Sequence, residues 1–256
     1  MSSSSLLTRV GTHENKLRRY FKRFDFTADT EPCPHPVSIL VFMNRSGSSL
    51  IAEYLRATGR FSGFGEPLSH GLTIERADEH GLASFEDYLR WLLDNVRQPD
   101  THFGMKASLD QVLMLMRSGA IPRYFGEVNW IFVQRVDLVS QAISFFIAQQ
   151  TQQWQSFEES NGREPAYNFK GIRERLFTIS DTYSATLALL SLHGIRPYYL
   201  TYEQFLENPE AQTAALASYL GEENVNVDSA RLRMEKQANQ FNRDFRERFL
   251  ADYARR

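Results

Sequence analysis

The chain has 256 residues, 42% of them hydrophobic, and a formal net charge of −2. This length is sufficient for one α/β domain with a large core, and the balanced charge gives no indication of a nucleic-acid or membrane partner. The single cysteine, Cys33, excludes an internal disulfide and is typical of a reducing compartment. No apolar run is long enough to span a membrane, and the pattern of a secretion signal is missing, so we expect a cytoplasmic protein.

Residues 1–36 are predicted to form an N-terminal extension or arm. Within them, residues 13–26 favour a basic helix with Leu17, Phe21 and Phe24 on one side. Two interpretations stay open: the helix packs on the domain with a solvated basic face, or it covers the active site or a dimer partner. Three prolines between residues 32 and 36 then end any helix.

The stretch 37–55 predicts a buried strand, a turn of small residues and a helix in succession. Residues 37–43 form a continuous apolar run with the length of a strand buried on both faces. Apolar residues recur at helical spacing from Leu50, so the turn leads into a helix N-terminus, where free N–H groups and the helix dipole attract an anion. Gly47 allows close approach of the backbone and Arg45 adds a positive charge. We interpret the turn as a phosphate cradle; an ordinary capped turn is the alternative.

The rest of the chain alternates between predicted helices and strands. Further strands are predicted over residues 102–107, 129–135 and 196–205, residues 58–67 are predicted to be rich in turns, and residues 156–167 a mobile polar loop. Helices are predicted over residues 85–96, 110–117, 137–155, 170–193, 209–220 and 229–253. This order predicts a three-layer α/β fold with a central, mostly parallel sheet flanked by helices, and a single domain over residues 37–256.

Basic groups lie at the carboxyl ends of three of the predicted strands, namely the turn 45–49, Lys106 and Arg135. Because ligands bind at the carboxyl ends of parallel strands, we expect these groups to converge on one site. An arginine fork suits a phosphate dianion, although Arg135 has an ion pair with Asp137 as its alternative role. Lys106 has an ordinary surface position as its alternative. No tight cluster of His, Cys and Asp offers a metal site, so no metal is expected.

The sequence RSGSS at residues 45–49, after an apolar strand, resembles the 5′-phosphosulfate-binding loop of bacterial carbohydrate sulfotransferases, the family typified by trehalose 2-sulfotransferase. Four more segments match the family in order: GFGEP at 63–67, FGMK at 103–106, residues 132–154, and EKQANQ at 235–240. The resemblance implies a P-loop-like sulfotransferase fold. It also implies transfer of a sulfuryl group from 3′-phosphoadenosine-5′-phosphosulfate to a hydroxyl of a carbohydrate or other small acceptor, and a homodimer, since family members are often dimeric.

The resemblance also assigns residues to the donor. It implies that the 5′-phosphosulfate is held by Arg45, Ser46, Gly47, Ser48 and Ser49. The 3′-phosphate is assigned to Arg135 and Ser144, with Ser140 as the rival serine. The nucleotide is expected near Lys236, Gln237 and Asn239, and Lys106 is expected to act at the transferring group or the acceptor.

The acceptor side of the site is less determined. An amide-rich segment that ends in an indole suits the hydroxyls and the apolar face of a sugar, which assigns the acceptor to Gln149, Gln153 and Trp154 beside Glu66. The polar end of a helix is the alternative. The family's base is the second glutamate of G-E-P-x-E, but this chain has Ser69 there. Glu66 and His70 are therefore both candidates for the catalytic base, together with Arg45 and Lys106 as catalytic cations.

Two rival functions stay open. A non-catalytic nucleotide-binding homologue would keep the cradle and lack a base, as Ser69 allows. An atypical kinase would need a P-loop lysine and carboxylates that hold magnesium, and neither is in place.

Overall fold

The computed structural model describes residues 3–154, 161–233 and 240–255. Five strands form one parallel sheet in the order β2-β3-β1-β4-β5. Their bounds are β1 Val37–Phe42, β2 Phe61–Gly65, β3 His102–Ser108, β4 Val128–Gln134 and β5 Tyr198–Thr201. All six residues of β1 are buried, as expected for the central strand of a sheet covered on both faces.

Helices pack on both faces of this sheet. They are α1 Ser3–Thr8, α2 Thr12–Tyr20, α3 Ser48–Ala57, α4 His70–His80, α5 Phe85–Val96, α6 Leu109–Arg117, α7 Leu138–Thr151, α8 Phe169–Leu192, α9 Tyr202–Glu207, α10 Pro209–Tyr219 and α11 Gln240–Ala254, with short helical turns at Ala120–Tyr124 and Ser229–Arg231. Ile39 and Val41 of β1 join a large core with α2 and α4 to α8, whereas Leu40 and Phe42 join a smaller one with α3, α9 and α10. This confirms the three-layer α/β fold. Within the described ranges, no helix is both long and apolar enough to cross a bilayer.

The prediction of turns over residues 58–67 is wrong for β2, which lies inside that range. Its glycines serve close packing: a Cβ on Gly63 would collide with the main-chain oxygen of Gly104 on β3, and a Cβ on Gly104 would collide with the Phe64 ring. The predicted strand 196–205 is shorter than expected, because Thr201 caps α9 by accepting a hydrogen bond from the Gln204 N–H.

Two helices also differ from prediction. Helix α4 was not predicted at all, because its polar and apolar residues show little periodicity. The terminal helix predicted over residues 229–253 is a short turn at Ser229–Arg231 and then α11, with residues 234–239 outside the described part of the chain.

The segment before β1 shares the core of the domain. Helix α2 ends at Tyr20, short of the predicted residue 26, but Leu17, Phe21 and Phe24 are all buried in the larger core. The Phe24 ring stacks on Phe85 of α5 with 4.6 Å between centroids. Residues 12–26 are therefore part of the domain's packing.

A buried carboxylate fastens α2 to α6. The Glu14 side chain is 1% exposed, and its oxygens lie 2.9 Å from Arg18 Nε and 2.6 Å from Arg117 Nη2. Removing a buried partner leaves the opposite charges unpaired and is costly, whereas exposed pairs contribute little.

We expect Glu14→Ala to lower the free energy of unfolding by about 2 kcal/mol, because both arginines lose their buried partner. Urea denaturation measures this change. The matched control is Glu79→Ala, which removes an exposed partner of Arg76 and should change stability by less than about 0.5 kcal/mol. Equal losses in the two variants would show that Glu14 does not hold α2 on the domain.

Candidate active site

The turn after β1 presents an uncapped helix N-terminus. Arg45 and Gly47 both adopt left-handed backbone conformations, with φ of 65° and 88°, which bring the chain from β1 directly into α3. Gly47 is the cap residue of α3, and no side chain caps the first turn. The free N–H groups and the dipole of this ten-residue helix are thus available to an anion.

Two buried donors accompany this helix end. Among the described residues, Ser46 Oγ and Arg135 Nε are the buried side-chain polar atoms that have no hydrogen-bond partner. Ser46 is fully buried, and the Arg135 side chain is 17% exposed. Leaving a buried donor unpaired costs about 1–3 kcal/mol, so a site of this kind fits a bound oxyanion. The two residues follow β1 and β4, which are neighbours in the sheet.

Arg135 is held by the residues that follow β5. Its guanidinium lies 4.7 Å from the Tyr202 ring centroid, and its Nε lies 3.8 Å from Glu203 Oε1. The Glu203 carboxylate also accepts hydrogen bonds from the main-chain N–H groups of Val136 and Asp137. The ion pair of Arg135 is therefore with Glu203, while Asp137 pairs with Arg246. Sequence reasoning missed Tyr202 and Glu203 because the strand prediction ran past them.

The two rival serines on α7 have different roles. Ser140 is bound to the cap residue of α7, Asp137: its N–H and its hydroxyl donate to the Asp137 carboxylate at 2.9 and 2.7 Å. Burial favours a raised pKa for Asp137, but these hydrogen bonds outweigh it and hold the pKa below its ordinary value. Ser144 Oγ instead accepts from Arg45 Nε at 2.9 Å, and Arg45 also donates to the main-chain oxygen of Trp154. Ser144 thus lies at the turn.

A buried amide supports the same turn, and sequence reasoning did not single it out. Gln141 of α7 donates to the main-chain oxygen of Asn44 at 2.9 Å and accepts from the Tyr183 hydroxyl at 3.0 Å. Burial raises the pKa of Tyr183 to about 12, so its hydroxyl keeps the proton that this bond requires. The turn is therefore braced from α7 and α8.

Lys106 joins the turn to Glu66. Its ammonium donates to Ser49 Oγ at 2.8 Å and to Glu66 Oε1 at 2.9 Å, and the residue is only 5% exposed. Burial excludes the surface position considered for this lysine. The geometry follows from the register, because β3 pairs with β1 on one side and with β2 on the other. Glu66, directly after β2, remains about half exposed.

His70 contacts the N-terminal helix. Its Nε2 lies 2.9 Å from Lys16 Nζ, and its Nδ1 lies 3.1 Å from His13 Nδ1. Burial, followed by the Lys16 charge, lowers the pKa of His70 from its ordinary value. Ser69 occupies the cap position of α4 without a capping hydrogen bond from its side chain.

The predicted acceptor residues lie at the end of α7. Gln149 Oε1 accepts from Arg175 Nε at 2.5 Å, so this amide also braces α8. The Trp154 side chain is 37% exposed and packs against Phe145, and its main-chain oxygen is the group bound by Arg45. Gln153 lies beside it, after the end of the helix. Lys236, Gln237 and Asn239 lie outside the described residues. The described part of the chain contains no group of three His, Cys, Asp or Glu side chains that could hold a metal.

A parallel α/β sheet whose central strand ends in an uncapped helix N-terminus, with cations at both neighbouring strand ends, is typical of proteins that bind nucleotides or related anionic ligands. The model of the Stf0 sulphotransferase family matches residues 38–252, and the chain belongs to this family. It is therefore a transferase of the sulfotransferase class, and the resemblance seen in the sequence is confirmed.

Three known proteins are similar to the chain. Trehalose 2-sulfotransferase of Mycobacterium tuberculosis (strain ATCC 35801 / TMC 107 / Erdman) is 25% identical over an alignment of 260 residues, gaps included. The alignment covers 85% of this chain and 95% of the relative. The sulfotransferase domain of the Synechococcus PCC 7002 olefin synthase aligns with a TM-score of 0.44 and 11% identity, over 88% of this chain and 98% of that one. Retinol dehydratase in a complex with retinol and PAP aligns with a TM-score of 0.45 and 17% identity, over 87% and 82%. Because both TM-scores are low, the assignment depends on the family model.

We expect Gly47→Ala to lower stability by about 1–3 kcal/mol, because a side chain must adopt a positive φ and would collide with the Tyr202 ring. Thermal unfolding measures this loss. The control is Gly126→Ala, where a Cβ meets open space and stability should change by less than about 1 kcal/mol. A Gly47 variant as stable as this control would mean that the turn after β1 does not need its glycine.

Proposed function

We propose that the protein transfers a sulfuryl group from 3′-phosphoadenosine-5′-phosphosulfate to a hydroxyl of a carbohydrate or other small acceptor. The observation that carries this proposal is the pair of buried donors without a hydrogen-bond partner, Ser46 Oγ and Arg135 Nε, at neighbouring strand ends beside an uncapped helix. Such a donor carries anionic groups at two separate positions, and the two strand ends offer two separate anion sites. The similarity to a trehalose 2-sulfotransferase supports a carbohydrate acceptor.

The donor's 5′ end is assigned to the turn after β1. The N–H groups at the start of α3 and the hydroxyls of Ser46, Ser48 and Ser49 would hold the phosphosulfate. Arg135 and Ser144 would hold the 3′-phosphate, since the Ser140 hydroxyl already donates to Asp137, the cap residue of α7. Arg45 connects these two sites, because its main-chain oxygen accepts from Arg135 and its side chain donates to Ser144.

Glu66 is the better candidate for the base. Lys106 connects its carboxylate to the cradle, because the ammonium donates to both Glu66 and Ser49. The Glu66 side chain is about half exposed and therefore open to an incoming acceptor. Both ring nitrogens of His70 are already engaged by α2. In the proposed step, the acceptor oxygen bonds to sulfur, its proton passes to Glu66, and the bond from sulfur to the bridging oxygen breaks to release adenosine 3′,5′-bisphosphate.

Lys106 supplies a positive charge between the two reacting ends. A cation fixed in a buried site stabilises charge that develops during transfer more than it would in water. Its contact with Ser49 brings that charge to the cradle, and its contact with Glu66 supports a role toward the proposed acceptor side. Arg45 would act with it on the leaving phosphate. Gln149, Gln153 and Trp154 would contact the acceptor beyond Glu66, with the exposed indole offered to an apolar sugar face.

We expect adenosine 3′,5′-bisphosphate to bind tightly in calorimetric titration, and ATP with magnesium to bind weakly. Arg135→Ala should weaken binding of the bisphosphate by about 2–3 kcal/mol, on the order of 100-fold, and change binding of adenosine 5′-monophosphate little. Arg60→Ala, which removes an exposed arginine paired with Glu222, is the control. A preference for ATP would replace the proposal by a kinase. Equal losses for both adenosine nucleotides would refute the 3′-phosphate assignment.

We expect Glu66→Gln to lower kcat roughly 100-fold or more while the affinity for the bisphosphate stays within about twofold, because the amide cannot accept the proton. Glu86→Gln on α5, which alters a partly exposed carboxylate paired with Arg90, should leave both quantities unchanged. Full turnover by the Glu66 variant would show that another group is the base. A wild-type protein that binds the bisphosphate but sulfates no acceptor would support the non-catalytic alternative raised by Ser69.

A further inference from the structure

Helix α2 contacts the segment after β2 that carries Glu66, although α2 lies before the part of the chain that the family model matches. Lys16 and His13, one turn apart on α2, contact His70, the first residue of α4. The His70 main-chain N–H also donates to His13 Nδ1 at 3.0 Å. His70 lies four residues after Glu66, the proposed base, at the end of the short segment that joins β2 to α4.

The contacts define one arrangement of protons. A lysine ammonium has donors only, so Lys16 requires an unprotonated His70 Nε2. A neutral imidazole then carries its proton on Nδ1, which donates to His13 Nδ1 at 3.1 Å. His13 Nδ1 therefore accepts from both N–H groups of His70, and His13 carries its own proton on Nε2. The hydrogen bonds are thus donated from Lys16 to His70 and from His70 to His13. This arrangement requires both imidazoles to be neutral.

Charged groups from every neighbouring element surround this chain of hydrogen bonds. Burial lowers the pKa of His13, the ring of His70 and the charge of Lys16 lower it further, and Asp110 at the start of α6 and Glu66 after β2 oppose this effect. Arg9 pairs with Asp110 at 3.4 Å. Burial and Lys16 likewise lower the pKa of His70. Both imidazoles are thus held neutral at pH 7.

The segment after β2 is fixed at its other points. The main-chain oxygen of Pro67 accepts from Thr73 Oγ1 at 2.8 Å and from the Tyr88 hydroxyl at 2.6 Å, and Leu68 is fully buried. Further along the same interface, the Tyr20 hydroxyl donates to Asp78 of α4 at 2.5 Å. Glu66 itself is also held by Lys106. The contact with α2 at His70 is a further restraint on the segment that carries Glu66, and it is the one that comes from α2.

We propose that His13 and Lys16 are positioning residues for the sulfuryl transfer: through His70 they hold the Glu66 segment in place, and acid releases it. This inference depends on the proposed role of Glu66. Protonation of His70 would place a second positive charge against the Lys16 ammonium. Protonation of His13 Nδ1 would direct a new N–H at the two N–H groups of His70 that now donate to it. Since both pKa values lie below about 6.5, the release occurs below that pH.

The first test compares variants of the full-length protein in acceptor kinetics. His13→Ala should lower kcat/KM for the acceptor about 10- to 100-fold, because the base is misplaced, and leave the Kd of the bisphosphate unchanged. His13→Asn places an amide oxygen near the position of Nδ1 and should restore most of that loss. Equal losses in the two variants, or a parallel loss of bisphosphate affinity, would overturn the positioning role.

The second test is the pH profile. Wild-type kcat/KM should fall on acidification below about pH 6.5. Lys16→Met removes a charge that lowers the pKa of His70, so the fall should move to higher pH. Arg19→Met removes an equal charge from the exposed face of the same helix and should leave the profile unmoved. Equal shifts in both variants, or no shift in Lys16→Met, would overturn the proposal.

The third test does not depend on turnover. In ¹⁵N spectra of histidine-labelled protein at pH 7.5, His70 should be protonated on Nδ1 and His13 on Nε2, with assignments from His13→Asn and His70→Asn. Any other pair of tautomers would overturn the hydrogen-bond chain. A protein with these tautomers that binds no bisphosphate would overturn the proposed function, and the spectra would still support the chain.

Discussion

The structure depends on the turn by which the chain leaves β1 and enters α3. Because β1 lies at the centre of a parallel sheet, its exit is flanked by the ends of β3 and β4, which bring Lys106 and Arg135 to the same edge. Gly47 packs closely on the ring of Tyr202, the first residue of α9, so the turn and the start of α9 are in direct contact. Tyr202 in turn supports the guanidinium of Arg135. One left-handed turn thus couples the ends of four strands.

The electrostatics of the site are local, since the whole chain carries a formal charge of only −2. Burying an ammonium is unfavourable unless it is paired and hydrogen-bonded, and Lys106 meets this condition through Glu66 and Ser49. Glu66 therefore has two roles, partner of a buried cation and proposed base. The position of Glu66 therefore matters for the lysine as well, because a carboxylate that moved away would leave Lys106 buried without its counter-charge.

Local patterns predict the centre of the fold well and its margins poorly. The apolar run of β1, the small residues after it and the basic residues at the ends of β3 and β4 are local signals, and the structure brings these groups together. Strand β2 was missed because Gly63 reads as a turn residue, whereas it packs against Gly104, more than 40 positions away. The rule that ligands bind at strand ends would have pointed to Tyr202 and Glu203 had the end of β5 been placed correctly. The pairing of His13 with His70 joins segments 57 residues apart and leaves no local pattern.

The departure at Ser69 and the docking of α2 are physically related. A second glutamate at this position, as in the resembling family, would add a negative charge next to His70 in the chain, and a nearby negative charge favours the protonated form of an imidazole. Serine adds no charge there, so both imidazoles stay neutral and the chain of donation from Lys16 is preserved. Ser69 is therefore compatible with the contact between α2 and α4 through uncharged histidines. Glu66 is the carboxylate that Lys106 connects to the cradle, and the proposed role of α2 is to keep it in place.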